Sequence, residues 1–339
     1  MTDTSFIRWS RRGLLAGAAL SMPGLAFAQT ITANASLQKP DADQNTASAD
    51  TASLAARTDA NSHLTTAVMI NGQGPYHFVI DTGAERSVIA DNVATILGLT
   101  LGGTIMVDGI SNRIAAPTVR IDSLSFGPFT RTGLTLPILP RASLFADGYL
   151  GLDAINGTRV TFDFKNHALH VEQPKLPVYR IEPGAEATSV SARGSAGRLR
   201  VTDCLVDSVA ATAFIDTGAE VSVGNLALHN ALKSRNKNLI SSATMTLTGV
   251  TGGEMTGDIV PVSRIRLQGL NFTDGTLVIA DVPDFSMWKL RLRPALLIGM
   301  DYLRQFAAVT IDYRSKEIRF ELSLAPPSPR PGVEIEHTV

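Results

Sequence analysis

A single cysteine, Cys204, stands in 339 residues. No internal disulfide can form, so the fold must be held by its core. Cys204 lies in the alternating stretch Leu199 to Val206, where a thiol reads as a small buried hydrophobe, not as a nucleophile. Basic clusters interleaved with aromatics are lacking and the formal net charge is −1, so nothing points to nucleic acid. The six histidines are scattered. His167 and His170 are close in sequence but have no cysteine or acidic partner at ligand spacing, and they read as polar strand residues. No metal or other cofactor is expected. Beyond the N-terminal segment, no apolar run is long enough to span a bilayer.

What the chain does contain is one tetrapeptide used twice. Asp81-Thr82-Gly83-Ala84 follows Phe78-Val79-Ile80, and Asp216-Thr217-Gly218-Ala219 follows Phe214-Ile215. Both copies continue as Glu-x-Ser-Val, and the two aspartates are 135 residues apart (216 − 81). Each copy predicts a buried strand entering a tight turn with a carboxylate at its tip. A longer repeat surrounds them. Leu150-Gly151-Leu152-Asp153 matches Ile298-Gly299-Met300-Asp301, and Val160-Thr161-Phe162-Asp163 matches Val309-Thr310-Ile311-Asp312. The offsets are 148 (299 − 151) and 149 (309 − 160), so two similar all-β lobes are expected. Val119 to Phe129 and Val262 to Phe272 also correspond, each with a glycine (Gly127, Gly269) suited to a hairpin turn. Helical signals are few: Ala90 to Leu97, Leu226 to Leu232, and the turns after Gly151 and Gly299.

These paired motifs resemble the aspartic peptidases, and the Ala after each Gly, with the apolar-apolar-Gly elements, resembles the retropepsin branch. The resemblance spans roughly residues 63–322. It implies a mainly β fold of two similar retropepsin/pepsin-like β-barrel lobes, related by a pseudo-two-fold axis with the active site between them. It implies that Asp81 and Asp216 are the catalytic pair, sharing one proton so that one acts as base and the other as acid. Thr82 and Thr217 would reach across to the opposite lobe. Gly83 and Gly218 would admit backbone N–H groups to the carboxylates, while Gly151 and Gly299 support the turns from behind. Gly109 and Ile110 in one half, and Gly249, Val250 and Gly252 in the other, fall where substrate-covering flaps are expected, though both segments also read as surface hairpins. The implied partner is a peptide or protein substrate held in extended form, with the monomer forming an intramolecular pseudo-dimer.

Other polar residues read more plainly. Asp153 and Asp301 suit helix caps. Glu85 and Glu220 read as exposed residues after a turn or as subsite groups. Trp288 reads equally as cleft lining or core filling.

The flanks complete the organisation. Arg8, Arg11 and Arg12, the apolar Gly13 to Leu20, and Ala26-Phe27-Ala28 predict an export signal over 1–28. Ser10 to Leu15 is similar to a twin-arginine motif, and a periplasmic or secreted location follows. Residues 29–62, poor in large apolar side chains, predict a flexible spacer. The lobes are expected over 63–172 and 196–322, joined by 173–195, whose middle (Val178 to Ile181) could pair as a strand. A Pro-rich tail closes the chain over 323–339. The activity expected is that of an exported aspartic endopeptidase. The rival is a non-catalytic peptide-binding or adaptor protein keeping the same fold, and the retention of both aspartates and both following glycines favours the enzyme.

Overall fold

A computed structural model describes residues 5–6, 51–55, 57–58, 64–174, 187–194, 199–241, 243–322 and 333–335. The protein is mainly β, with two similar lobes related by a pseudo-two-fold axis. In the N-terminal lobe, Gln73–Ile80 pairs in parallel with Gly148–Leu150, which runs antiparallel to Val88–Ala90, itself parallel to Thr135–Leu139. The C-terminal lobe repeats the pattern. There Val209–Ile215 pairs in parallel with Ala295–Ile298, which is antiparallel to Val223–Gly224, itself parallel to Leu270–Ile279.

Local chemistry sets up the strands that carry the repeated motif. Leu64–Ile70 turns into Gln73–Ile80 through Asn71 and Gly72, both at positive φ (49° and 76°). Such two-residue turns match the twist of paired strands and favour Asn-Gly. The equivalent turn in the other lobe uses Asp207 and Ser208 at φ 43° and 68°. Phe78, Val79 and Ile80 are all buried. That run lacks the polar alternation of a half-exposed strand because strands flank it and both faces are covered.

A six-stranded sheet joins the lobes in the order Ala187–Ser191, Glu317–Glu321, Ala308–Asp312, Arg159–Asp163, Ala168–Glu172, Thr51–Ala55. Its central pair meets antiparallel with Thr161 opposite Thr310, and their hydroxyls are 2.8 Å apart. These two threonines are equivalent in the repeat, so the pseudo-two-fold axis passes between them. Two positions along, Arg159 faces Asp312 and donates to its Oδ2 from Nε and Nη2 (2.9 and 2.7 Å). Nη1 of Arg159 reaches Glu172 Oε1 at 2.5 Å. One apolar cluster runs through both lobes, and a second lies in the C-terminal lobe. No helix among the described residues is long and apolar enough to cross a membrane.

Several segments differ from expectation. The spacer read over 29–62 contributes Thr51–Ala55, paired with Ala168–Glu172, and Arg57–Thr58, paired with Leu64–Thr65. An open sheet edge offers unpaired backbone groups, and filling it needs no large apolar side chains. The connection over 173–195 contains the strand Ala187–Ser191, paired with Glu317–Glu321; Val178 to Ile181 lies outside the described residues. In the tail, Val333–Ile335 pairs with Leu270 to Phe272. Of residues 1–28 only the backbone of Ser5–Phe6 is described, parallel to Val107 and Asp108. The expected helices form at Asp91–Ile96, Leu226–Arg235, Leu152–Ile155 and Met300–Leu303, and two unforeseen short ones at Arg141–Leu144 and Pro283–Met287.

The Arg159–Asp312 pair is almost fully buried, at 5% and 1% side-chain exposure. Arg159→Leu would leave the Asp312 carboxylate without its charge partner in the lobe junction. The expected cost is roughly 3–5 kcal/mol, measured as the loss in urea-unfolding free energy. A loss under about 1 kcal/mol, the value of an exposed pair, would show that the junction does not depend on this bridge.

Candidate active site

The two Asp-Thr-Gly turns meet at the lobe boundary. Asp81 and Asp216 are both fully buried. The N–H of Asp81 donates to Leu150 O and that of Asp216 to Ile298 O, each at 2.9 Å. Each turn therefore hangs from the parallel strand beside it. Asp81 Oδ1 accepts from the N–H groups of Gly83 (2.7 Å) and Ala84 (3.0 Å), and Asp216 Oδ1 accepts from that of Gly218 (3.2 Å).

The threonines cross between lobes in a reciprocal exchange. Thr82 N donates to Thr217 Oγ1, and Thr217 N donates to Thr82 Oγ1, both at 3.1 Å. Thr82 Oγ1 then donates to Ile215 O (3.1 Å), and Thr217 Oγ1 donates to Ile80 O (2.8 Å). The turns are brought so close that a Cβ on Gly218 would lie 2.5 Å from both Cγ and Oδ2 of Asp81. Only glycine fits there, because real Cβ atoms do not approach carboxylate atoms so closely. The sequence placed all four residues; the structure brings them together across the boundary.

Behind each turn stands a brace that sequence reading missed. Ser87 donates from N (2.8 Å) and Oγ (2.6 Å) to Asp153 Oδ1, while Ser87 Oγ accepts from Gly151 N (3.0 Å). In the other lobe, Ser222 N donates to Asp301 Oδ2 (2.9 Å), Ser222 Oγ donates to Asp301 Oδ1 (2.7 Å), and Gly299 N donates to Ser222 Oγ (2.9 Å). Asp153 and Asp301 are thus not simple helix caps: Gly151 and Gly299 hold the N-cap positions, with no side-chain cap bond. The signal was present, since a serine follows the aspartate of each Asp-Thr-Gly turn at the same distance in both copies. Gly151 and Gly299 are required sterically, as a Cβ would sit 2.5 Å from Arg86 C and 2.7 Å from Val221 C. Glu85 and Glu220 are half-buried, and their carbonyls accept from Asp153 N and Asp301 N.

The two glycine-containing hairpin turns are not separate surface features, because their tips interlock. A Cβ on Gly109 would lie 1.8 Å from Thr251 Oγ1, and Thr251 Oγ1 hydrogen-bonds to Asn112 Oδ1. Ile110, from the N-terminal lobe, is fully buried in the C-terminal lobe's apolar cluster with Phe214, Val221 and Leu297. Val250 is also fully buried, and Gly249 N donates to Gly253 O (2.8 Å) while Gly252, exposed, closes the turn at φ 75°. Trp288 fills space beside this cluster, its ring 4.2 Å from that of Phe214. Cys204 is buried, and desolvation pushes its thiol up to about 12, which suits packing and not nucleophilic attack. Among the described residues no group of three or more His, Cys, Asp or Glu could hold a metal ion.

Two measurements check this arrangement. Thr82→Val would strand Ile215 O and Thr217 N–H, at about 3 kcal/mol for the two groups together. Adding Thr217→Val should cost much less than a second equal loss, because both changes break one network. Additive losses in chemical unfolding would mean that the exchange is not a unit. Burial raises the Asp153 carboxyl above its ordinary range, with the Ser87 hydrogen bonds and Arg86 opposing. The native state therefore holds this proton to higher pH than the unfolded chain does. Its relative stability is greatest below the unfolded pKa and falls as pH rises through the raised one. Asp153→Asn removes that dependence, so wild-type stability should decline relative to the variant as pH rises from about 4.

Comparison with known proteins gives the family. A family model described as aspartyl protease matches residues 66–154 and 201–302, one region in each lobe. No curated protein is similar enough to count as a match. The two regions together cover more than half of the chain and each contains one Asp-Thr-Gly turn, so the chain belongs to the retropepsin-like aspartyl protease family, with two copies of its domain fused in one polypeptide.

Proposed function

We propose that the protein is an exported aspartic endopeptidase, hydrolysing peptide bonds with a water activated jointly by Asp81 and Asp216. The observation that carries this reading is the closeness of the two buried turns: the Asp81 carboxylate lies against Gly218, two residues beyond Asp216. Two carboxylates in such a site cannot both ionise cheaply, so the pair keeps one proton. The ionised member removes a proton from water as its oxygen attacks the scissile carbonyl carbon. The protonated member hydrogen-bonds the carbonyl oxygen, which becomes the second hydroxyl of the tetrahedral intermediate. Proton return to the leaving nitrogen then breaks the C–N bond. Every proton comes from water or the pair, and no cofactor is required.

The substrate in this reading is an extended peptide held by strand-type hydrogen bonds beneath the joined hairpin tips. Both aspartates belong to one chain, so pairing is intramolecular and favours a monomer. Export rests on Arg11-Arg12 and Ala26-Phe27-Ala28. The mature periplasmic protein should begin near Gln29, and N-terminal sequencing that finds Met1 or Thr2 on the soluble cellular protein would remove this part.

The decisive test uses isosteric changes. Asp81→Asn and Asp216→Asn should each abolish cleavage of a mixed peptide library, and the double variant should be little worse than either, because the pair acts as a unit. Wild-type rate should fall on both sides of an acidic to mildly acidic optimum. Near-wild-type cleavage by either single variant, folded by circular dichroism, would refute the shared-proton mechanism.

A further inference from the structure

Each Asp-Thr-Gly turn is laid along the strand end behind it by one repeated set of hydrogen bonds. In the C-terminal lobe Asp216 N donates to Ile298 O (2.9 Å), Met300 N to Ala219 O (2.8 Å) and Asp301 N to Glu220 O (3.1 Å). In the N-terminal lobe Asp81 N donates to Leu150 O (2.9 Å), Leu152 N to Ala84 O (2.9 Å) and Asp153 N to Glu85 O (3.2 Å). The serine of each brace closes the far end of this ladder, where Gly299 N donates to Ser222 Oγ and Gly151 N to Ser87 Oγ. Whatever fixes the serine therefore fixes the end of the turn that begins at the aspartate.

The two braces use their carboxyl oxygens differently. Ser87 N and Oγ converge on Oδ1 of Asp153 (2.8 and 2.6 Å). Ser222 N takes Oδ2 of Asp301 (2.9 Å), while Ser222 Oγ and Tyr302 N take Oδ1 (2.7 and 3.0 Å). A carboxylate accepts at both oxygens, whereas a primary amide accepts at one end and donates from the other. At 153 a single acceptor atom is enough for both serine bonds. At 301 either orientation of an amide turns its NH2 on a donor, the Ser222 N–H in one and the Tyr302 N–H in the other.

The turns differ in the same sense. Asp81 Oδ1 accepts from Gly83 N at 2.7 Å, and the equivalent bond from Gly218 N to Asp216 Oδ1 is 3.2 Å. The C-terminal turn is held less tightly from within, so more of its hold falls to the brace.

We propose that Asp301 is a positioning residue for Asp216, acting through Ser222 and only as a carboxylate, whereas the equivalent Asp153 braces the Asp81 turn through one oxygen. The inference rests on the dyad reading above. Ser222 is fully buried, so a donor set against its N–H cannot be relieved by water. The turn moves instead, and a displacement of about 1 Å at a reacting group costs about 10²-fold in rate.

The test compares Asp301→Asn with Asp153→Asn, one isosteric change in each lobe of the full chain. A role limited to packing would make the two alike. Asp301→Asn is expected to lower kcat about 10²-fold with KM little changed, and to move the carbon NMR signal of the Asp216 carboxyl, assigned by its loss in Asp216→Asn. Asp153→Asn is expected to cost less than about tenfold and to leave that signal in place. Equal losses in the two variants, or an unmoved Asp216 signal in folded Asp301→Asn, overturn the inference. If Asp301→Asn does not fold, Ser222→Ala takes its place: it keeps the Asp301 carboxylate and removes the hydroxyl that joins it to Gly299. An unmoved Asp216 signal in that variant overturns the inference equally. A moved signal, with a wild type that cuts no peptide, upholds the positioning and sinks the endopeptidase reading instead.

Discussion

Thr82 and Thr217 each donate to a backbone carbonyl of the opposite lobe and accept from the opposite threonine's N–H. Four buried hydrogen bonds are thereby made only when the lobes are together, and every one lies next to a candidate catalytic aspartate. Separating the lobes would expose or orphan all of these groups at once. Such networks are all-or-nothing, because a half-satisfied buried network is worse than none. The exchange explains why the glycine at 218 cannot vary: threonine bonding of about 3 Å on either side leaves no room for a side chain over Asp81.

The rest of the frame holds the two turns against that exchange. Gly151 and Gly299 let their strand ends press onto the backbone of Arg86 and Val221. Ser87 and Ser222 tie those strand ends to Asp153 and Asp301. The same construction on both sides places like atoms at like positions about the axis, which is how two unlinked stretches of sequence can bring two Asp-Thr-Gly turns against one another. The inter-lobe sheet completes the hold, with Thr161 opposite Thr310 at its centre.

Much of this was legible in the sequence, because the repeat states it twice. The motif aspartates, the crossing threonines and the supporting glycines all stand at matching positions in the two halves. The Ser–Asp braces were equally repeated, but their aspartates were read as caps, since aspartate is among the preferred residues at a helix N-terminus. Which atom an aspartate meets 66 residues away depends on strand register, and composition does not encode register. Thr51–Ala55 was hidden for a different reason: it pairs along a free sheet edge, and a backbone ladder leaves little mark on composition. The interlocking of Gly109 with Thr251 depends on how far two hairpins reach across the boundary, a property of the assembled lobes and not of either turn.

The two hairpin tips are unequal. The N-terminal tip turns over four residues, Gly109 to Asn112, and sends Ile110 into the other lobe; the C-terminal tip turns over five, Gly249 to Gly253, and lays Thr251 over Gly109. A homodimer of identical chains presents the same walls to a polypeptide threaded from either end. Here the two domain copies lie in one chain, and their hairpins differ while their Asp-Thr-Gly turns match. A polypeptide has direction, running from amino to carboxyl end, and a channel with unlike walls can read that direction. In the endopeptidase reading, matched Asp-Thr-Gly turns combined with unlike hairpins would let the orientation of a bound strand be selected independently of the chemistry.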